Sequence, residues 1–281
     1  MTPRDLKITF SGSIPEYYDR CLGPAWFDAF AKDLAQRLPS RPPGDVLEIA
    51  CGTGLVTRHL RERLEPEFRL VATDLSVAML DYARRQLAGL QGIEWREADA
   101  TSLPFRDGEF GAVVCQFGFM FVPDKKAAFR EARRVLKDDG RLLFNVWDRI
   151  EENRCNVVNA AVIEGLFPGD DEMRFRVPYE MYDLALLRQL LAEGRFEETR
   201  IEKKRIPIDG VSARTIATGQ VRGTPRALLL EKRGASLDEV VELVSAALAQ
   251  AGGTDPYRGS AQAIVIEARA TSPRPVPSTR R

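Results

Sequence analysis

One stretch of the sequence, from Asp45 to Asp74, restricts the fold more than any other part of the chain. It begins with a short apolar run formed by Val46, Leu47 and Ile49, which is typical of a strand buried on both faces. A turn at Cys51–Gly54 then leads into apolar residues at helical spacing and a second apolar run. The order of strand, glycine turn, helix and strand predicts a parallel α/β unit.

The same stretch predicts a nucleotide-like ligand. A glycine turn before a helix presents backbone N–H groups and the positive end of the helix dipole. Asp74 follows about 20 residues later at a strand end, where it can accept hydrogen bonds from two ribose hydroxyls. The dinucleotide fingerprint fails because Thr57 occupies its third Gly or Ala position. The P-loop pattern fails because no Gly-Lys-Ser/Thr follows the turn.

Length and composition exclude several classes of protein. The 281 residues are enough for one large domain with a proper core, or for two small ones. Basic and acidic residues number 41 each, which argues against a nucleic-acid or membrane-surface protein. No apolar run reaches the ~18 residues of a membrane span. Four scattered cysteines and no signal-peptide core predict a cytoplasmic chain without disulfides or a metal site.

The turn at residues 48–54, Glu-Ile-Ala-Cys-Gly-Thr-Gly, resembles the first motif of class I S-adenosylmethionine-dependent methyltransferases, E/D-x-G-x-G-x-G. Ala50 stands at the first Gly position, and as the smallest substitution it is expected to keep the close backbone approach. Later features follow in the order of the ubiquinone/menaquinone-type (methyltransferase type 11-like) family. They are Asp99-Ala100, Leu103-Pro104-Phe105, Asp107 and Phe110, a strand ending in Gln116, and Arg134-Val135-Leu136-Lys137 before Gly140. The resemblance is close over residues 45–147 and loose elsewhere.

This resemblance implies an α/β fold with a doubly wound, seven-stranded, mostly parallel sheet of the Rossmann-like class I methyltransferase type. Residues 1–40 are expected to form an N-terminal helical lead-in, and residues 41–270 the methyltransferase domain. Inserts at 151–180 and 209–253 follow the fifth and sixth strands, at the sheet edge where α/β folds bind ligands. We therefore expect them to form a helical substrate lid, and residues 271–281 to be a disordered tail.

The resemblance also implies S-adenosylmethionine as cofactor and assigns contacts to its nucleoside. Asp74 is expected to bind the ribose, while Leu75 and Met79 pack on the adenine. Asp99 is expected to accept a hydrogen bond from the adenine amino group, and the Ala100 N–H to bind an adenine ring nitrogen. No metal ion is expected.

The methionine part of the cofactor is expected to lie against backbone and aromatic groups. These candidate residues are Ala50, Cys51 and Gly52 in the turn, Gln116 and Phe117 at the fourth strand, and Tyr18 from the lead-in. In the resembling family, a Tyr-Asp pair before the core commonly closes over this part of the cofactor, and Tyr18-Asp19 stands at that place.

Methyl transfer needs a dry, aligned site more than covalent chemistry, since the sulfonium is already electrophilic. Phe117, Phe119 and Phe121 alternate after the fourth strand and, if extended, would point to one side and form a wall of the cavity. Trp147 and Asp148, at the end of the fifth strand, are the next candidates for this wall.

No catalytic residue is assigned from the sequence. His59 is the only histidine and lies on the first helix after the glycine turn, where it is expected to face away from the methyl group. Tyr17, Tyr18 and Asp148 remain alternative bases, and an acceptor that is already nucleophilic would need none.

The predicted function is methyl transfer to O, N or C of a partly hydrophobic small molecule, such as a quinone precursor or a specialised metabolite. A non-catalytic S-adenosylmethionine-binding or regulatory protein of the same fold is the alternative. A nucleic-acid methyltransferase is disfavoured, because residues 115–118 read Cys-Gln-Phe-Gly where Asn/Asp-Pro-Pro-Tyr is expected, and no Cys follows a Pro. Thr57 disfavours a nicotinamide dehydrogenase. No nucleic-acid or membrane partner is expected, and a homodimer is left open.

Overall fold

A computed structural model describes residues 10–174 and 176–271 of the chain. Its sheet has seven strands, β1 to β7, which are Val46–Ile49, Leu70–Asp74, Ile93–Glu97, Phe110–Gln116, Leu136–Trp147, Phe196–Ile208 and Gly259–Ala270. Their order across the sheet is β3-β2-β1-β4-β5-β7-β6. The first five strands run parallel, and β7 is antiparallel to its neighbours β5 and β6. The predicted seven-stranded, mostly parallel sheet is confirmed.

The apolar run that opens the core motif becomes the central strand of the parallel half. In β1, Leu47 is in register with Val71 of β2 on one side and Val113 of β4 on the other. All three side chains are fully buried. A strand with neighbours on both sides and helices on both faces has no solvent-exposed surface, which explains why its residues are apolar apart from Glu48, whose buried carboxylate is bound by Thr57.

The helices that cover the faces of the sheet include α3 (Leu55–Arg63), α4 (Val77–Gln86), α5 (Lys125–Val135) and α7 (Leu184–Glu193). Ser76 caps α4, because its hydroxyl accepts a hydrogen bond from the Met79 N–H at 3.3 Å. Asp183 caps α7 in the same way, through the Ala185 N–H at 2.8 Å.

The N-terminal lead-in consists of α1 (Ile14–Tyr17), a π-helical segment (Tyr18–Phe27) and α2 (Asp28–Gln36). The lead-in has a buried apolar stripe at helical spacing, and its members are Trp26, Phe27, Phe30, Leu34 and Leu38. Pro24 lies inside the π-helical segment and has no N–H to donate to a regular ladder. Wide helical turns of this kind often occur at functional sites.

The two predicted inserts contain four further helices: α6 (Arg154–Leu166), α8 (Ala213–Arg222), α9 (Arg226–Lys232) and α10 (Leu237–Gly252). Helix α10 packs on α6 and α8, and α8 packs on the π-helical segment. Ser236 caps α10 by accepting a hydrogen bond from the Glu239 N–H at 3.3 Å. The inserts thus meet the N-terminal lead-in beside the carboxyl ends of β1, β4 and β5.

The predicted disordered tail lies outside the described residues, apart from Thr271. Within residues 10–174 and 176–271, no helix combines the length and apolar character that a membrane crossing requires.

Candidate cofactor and acceptor site

A cavity of about 890 Å³ lies at the carboxyl ends of the parallel strands. It is bordered by the ends of the first five strands, namely Ala50 after β1, Asp74 in β2, Ala98 after β3, Gln116 in β4 and Trp147 in β5. Residues of the π-helical segment and of the inserts complete its lining. Ligands of open α/β sheets bind at this edge, so the fold places a ligand cavity where the sequence predicted it.

Ten of the eleven candidate cofactor residues line this cavity: Tyr18, Ala50, Gly52, Asp74, Leu75, Met79, Asp99, Ala100, Gln116 and Phe117. Cys51 does not. Its side chain points to the other side of the turn and packs with Ala72 and Leu80 in a small buried cluster. Only the backbone of Cys51 supports the turn, through its N–H to the Thr73 carbonyl at 2.8 Å.

The turn after β1 has a left-handed backbone at three alternate positions. The φ angles are +54° at Ala50, +55° at Gly52 and +86° at Gly54. Glycine takes this conformation without steric penalty, whereas alanine does so with local strain. A Cβ on Gly52 would meet no atom within 4 Å, so the turn leaves open space above its backbone.

Asp74 connects the glycine turn to the start of α4. One carboxylate oxygen accepts a hydrogen bond from the Gly52 N–H and the other from the Ser76 N–H, each at 2.8 Å. Burial raises the pKa of this carboxyl above its ordinary value, although the two N–H groups oppose the rise. A carboxylate has about four acceptor positions, so the ribose hydroxyls can still bind beside the two backbone bonds.

Glu48 and Thr57 explain why the motif departs from the dinucleotide pattern. The Thr57 hydroxyl donates to a Glu48 carboxylate oxygen at 2.6 Å, and both side chains are buried. The third glycine position of a dinucleotide motif therefore holds a side chain that ties α3 to the end of β1. Burial raises the pKa of Glu48 to about 8.

Two apolar side chains and one acid surround the predicted adenine position. Leu75 lines the cavity but is 66 % exposed, so an uncovered apolar surface lies beside the Asp74 carboxylate. Asp99 accepts hydrogen bonds from the N–H and hydroxyl of Thr101 on the same oxygen, at 2.7 Å each. Its other oxygen remains available to a ligand donor. Exposed apolar area next to an acceptor fits an adenine ring and its amino group.

An aromatic cluster forms the inner wall of the cavity. Tyr18 stacks on Phe27 with ring centroids 4.6 Å apart, and Phe117 stacks on Trp147 at 4.4 Å. Burial, with smaller contributions from nearby carboxylates, raises the pKa of Tyr18, so its phenol stays neutral. Phe117 has a φ of +52° and is held there by Asn145, whose side-chain oxygen accepts from the Phe117 N–H at 3.0 Å.

Residues 117–121 do not continue as an extended segment, so the condition under which all three phenylalanines would point to one side is not met. Phe119–Phe121 form a 3₁₀ helix, which turns alternate side chains in different directions. Phe117 and Phe121 line the cavity. Phe119 is instead buried against Phe129 and Phe144, with ring centroids 4.8 and 5.4 Å apart respectively. Two of the three candidate phenylalanines therefore reach the cavity, and they do so from a helical turn instead of an extended chain.

Two of the candidate bases lie away from the cavity and are bound to other side chains. His59 lies on α3 where that helix packs on α2, and its ring binds the Asp28 carboxylate at 2.8 Å. Asp148 is fully buried in an ion pair with Lys203 at 2.9 Å and accepts from the Gln262 side chain at 2.7 Å. Neither residue lines the cavity. Trp147 does, as predicted for the wall.

Several cavity residues were not singled out from the sequence. The N-terminal ones are Phe10, Leu22, Trp26 and Phe27, and those from the inserts are Asn156, Asn159, Tyr179, Gln220, Thr224 and Arg226. The aromatic stripe of the lead-in was a usable signal for Trp26 and Phe27, although its periodicity also fits plain core packing. The insert residues carry no motif, because tertiary packing alone brings them together.

The sheet order, the glycine turn and the acids at the ends of β2 and β3 define a class I, Rossmann-like methyltransferase domain. Residues 47–144 match a family model described as a methyltransferase domain. Over these residues the chain is similar to S-adenosylmethionine-dependent methyltransferases, and the relatives that it matches there include enzymes of the ubiquinone/menaquinone type. S-adenosylmethionine is the cofactor of this class of domain.

Two curated relatives illustrate this similarity. The ubiquinone/menaquinone biosynthesis C-methyltransferase UbiE of Hahella chejuensis is 40% identical over 106 residues, which cover 37% of this chain and 43% of the relative. The demethylmenaquinone methyltransferase of Thermus thermophilus is 43% identical over 116 residues, covering 40% and 50% respectively. The chain thus spans about half the length of the curated relatives it matches.

Solved structures share the fold over most of the chain. A putative methyltransferase from Bacillus halodurans superposes with a TM-score of 0.58 at 21% identity, covering 87% of this chain and 100% of the other. The [4+2]-cyclase SpnF superposes with a TM-score of 0.56 at 18% identity, covering 88% and 81%. At such identities these likenesses concern the fold alone.

Proposed function

We propose that this protein transfers the methyl group of S-adenosylmethionine to O, N or C of a partly hydrophobic small molecule. The observation that carries the proposal is that one continuous cavity joins two unlike halves. The half at β1 to β3 offers the glycine turn and the two acids. The half at β5 and the inserts offers aromatic rings and buried polar side chains, which suit an acceptor.

The chain's own residues supply binding, orientation and exclusion of water. Asp74 and Asp99 are positioned to accept the hydrogen bonds of a nucleoside, and Leu75 to cover its base. The stacked rings of Phe117 and Trp147 border the space between the two halves, where the sulfonium carries the transferable methyl. Aromatic faces attract a cation, and a dry wall favours the dispersal of its charge during transfer.

The proposed acceptor supplies its own nucleophile. Among the described residues that line the cavity, the titratable groups are Tyr18, Asp74, Asp99, Asp124, Tyr179 and Arg226, with no histidine. Burial raises the pKa of Tyr18 and of Tyr179, which makes both phenols poor bases near neutral pH. An activated ring carbon or an ionised phenol, as in a quinone precursor, fits this wall.

Calorimetry tests the proposed cofactor directly. S-adenosylmethionine and its product S-adenosylhomocysteine should both bind, and NAD should not. Incubation with methyl-labelled S-adenosylmethionine and a set of phenols and quinone precursors then tests methyl uptake. Binding of the cofactor without transfer to any acceptor would favour the non-catalytic alternative, and selective binding of NAD would overturn the proposal.

A further inference from the structure

Helix α6 presents two amide side chains to the insert side of the cavity. Asn156 and Asn159 both line the cavity, and their exposed fractions are only 8 and 7 %. Residues three apart on a helix share one face, with Cβ atoms about 5–6 Å apart. We call these two side chains the α6 amide pair. Polar side chains buried in a cavity wall fix the orientation of a ligand, so the pair indicates recognition of a polar group.

Gln220 of α8 fixes the direction of the Asn156 amide. The Gln220 amide nitrogen donates to the Cys155 carbonyl at 3.3 Å and to the Asn156 side-chain oxygen at 2.7 Å. A backbone carbonyl can only accept, so the contact with Cys155 establishes which end of Gln220 carries the hydrogens. The Asn156 oxygen is therefore held by Gln220, and the Asn156 N–H₂ group is the end left for a ligand.

Gln220 holds Asn156 in this direction without satisfying its own oxygen. That oxygen is buried and has no donor among the residues that the structure describes. An unpaired buried oxygen is unfavourable for stability, so the arrangement needs an explanation other than stability. Orientation of a ligand-binding side chain supplies that explanation.

Asn159 presents the same end to the cavity. Its amide oxygen is buried and, within residues 10–174 and 176–271, has no hydrogen-bond donor. Because Asn159 lines the cavity, its N–H₂ group is the end that can meet a ligand. The α6 amide pair therefore offers two hydrogen-bond donors, about one helical turn apart, on one wall.

Two donors at this spacing select a ligand oxygen that accepts hydrogen bonds. A carbonyl oxygen has two acceptor positions and no hydrogen of its own, so it can accept one N–H from each asparagine. A methylene group in its place would leave both donors unpaired. The neighbouring wall suits a planar aromatic body, because Trp147 stacks on Phe117 and lies 6.4 Å from the Tyr179 ring.

We propose that the methyl acceptor is an aromatic hydroxy ketone whose carbonyl oxygen accepts hydrogen bonds from Asn156 and Asn159. This inference rests on the proposed function and narrows its substrate class. A carbonyl conjugated with a hydroxyl withdraws electrons from it, and hydrogen bonds to the carbonyl stabilise the ionised form further. The hydroxyl can then release its proton to solvent, so the acceptor becomes nucleophilic without a base from the protein.

The test compares ketones with matched compounds that lack the carbonyl oxygen. The pairs are para-hydroxyacetophenone with para-ethylphenol, and hydroxyacetonaphthone with ethylnaphthol. Each compound is titrated into the unmodified protein by calorimetry, with saturating S-adenosylhomocysteine, at about pH 6, where the hydroxyls of both members stay protonated. At least one ketone should bind about ten times more tightly than its ethyl partner. Equal or tighter binding of the ethyl compounds, or no binding of either ketone, would overturn the inference.

Variants locate the carbonyl contact. Asn156→Leu should reduce the preference for the ketone to about twofold or less and leave the affinity for S-adenosylhomocysteine unchanged. Gln189→Leu is the matched control and should keep the full preference, because this amide lies exposed on α7 and does not line the cavity. A preference for the ketone that survives Asn156→Leu would contradict the assignment.

A second variant keeps the test decisive should Asn156→Leu fail to fold. Asn159→Leu removes the other donor, and the buried Asn159 oxygen has no donor within the described residues that the change could deprive of a partner. The preference for the ketone should again fall, and an unchanged preference would count against the proposal.

The two levels of the proposal fail in different ways. Absence of S-adenosylhomocysteine binding by the unmodified protein would refute the proposed function. Binding of S-adenosylhomocysteine with no discrimination between ketones and ethyl compounds would refute only the hydroxy ketone. Weaker binding of S-adenosylhomocysteine by an Asn156→Leu variant that keeps the parent's melting temperature would assign the α6 amide pair to the cofactor and would also refute the hydroxy ketone.

Discussion

The methyl group of Ala50 fills the space that the missing side chain of Gly118 leaves open. A Cβ built on Gly118 would lie 2.4 Å from the Ala50 Cβ and 2.7 Å from the Cys115 sulfur. Ala50 occupies the first glycine position of the motif with a left-handed φ of +54°. The departure from the motif is therefore accommodated by the turn after β4, which keeps the two cavity-lining turns in contact.

This complementarity predicts a rescue experiment. Gly118→Ala should destabilise the protein by about 1–3 kcal/mol, the usual effect of overpacking. Ala50→Gly alone should change stability little, because relief of left-handed strain offsets the extra chain entropy of glycine. The double variant should recover part of the lost stability, because the overlap with the Ala50 methyl group disappears. Recovery should be incomplete, because the close contact with the Cys115 sulfur remains. Urea denaturation measures all three, and strictly additive effects would contradict the proposed contact.

Asp74→Asn should weaken the binding of S-adenosylhomocysteine by about ten- to a hundredfold. One amide oxygen cannot replace two carboxylate oxygens, so either the Gly52 or the Ser76 N–H would face an N–H₂ group. The matched control is Asp81→Asn on α4, where the half-exposed carboxylate pairs with Arg84 and is not among the residues that line the cavity. Calorimetry on both variants measures the effect, and equal affinities would exclude Asp74 from the cofactor site.

Glu48 should make the protein less stable as pH rises. Its pKa is about 8 when folded, raised chiefly by burial, against an ordinary 4.5. Between these values the unfolded chain has released the proton that the folded protein keeps, so the free energy of unfolding falls across this window. Glu48→Gln removes the titration. Relative to the parent, the free energy of unfolding of Glu48→Gln should increase by about 1 kcal/mol or more between about pH 5 and pH 8.5.

Urea denaturation of the parent and the variant at both pH values checks the Glu48 prediction. The raised pKa of Asp74 acts in the same direction, so only the difference between the two proteins isolates Glu48. Glu151→Gln, at an exposed position, is the control and should show no such gain. If the free energy of unfolding changed equally with pH in the parent and in Glu48→Gln, the raised pKa of Glu48 would not be the cause of the pH dependence.

Gly223→Ala should loosen the contact between α8 and the N-terminal lead-in. A Cβ at this position would lie 2.7 Å from the Tyr18 backbone nitrogen, and backbone cannot move aside as a flexible side chain can. Because Tyr18 lines the cavity, both the melting temperature and the affinity for S-adenosylhomocysteine should fall. Gly165→Ala in α6 is the control, since its Cβ would meet nothing within 4 Å. Identical behaviour of the two variants would contradict the prediction.

The parallel half of the fold could be predicted because local and long-range signals agree there. The apolar run of β1, the Ser76 cap and the acid at the end of β2 all specify the same strand–helix–strand unit. The acids of the proposed cofactor site follow from that unit, because the ends of parallel strands meet at one edge. Cys51 shows the limit of this reasoning, since the direction of a side chain in a turn depends on φ and ψ.

The acceptor half of the cavity could not be predicted in the same way. Asn156, Gln220 and Arg226 lie far apart in the sequence and meet only because α6, α8 and α9 pack together beside the sheet. The 3₁₀ helix at Phe119–Phe121 was missed because an alternating aromatic pattern also fits an extended chain. The role of the inserts as a lid, inferred from their place beyond the fifth and sixth strands, stays a prediction.

The crystal structure of the protein with S-adenosylhomocysteine tests the central claim most directly. We expect the ribose hydroxyls within hydrogen-bond distance of Asp74, the adenine between Leu75 and Asp99, and the homocysteine part against the turn at Ala50 and Gly52. The sulfur should point towards the stacked rings of Phe117 and Trp147. A saturated crystal with no nucleoside in the cavity, or with one that touches neither carboxylate, would contradict the account.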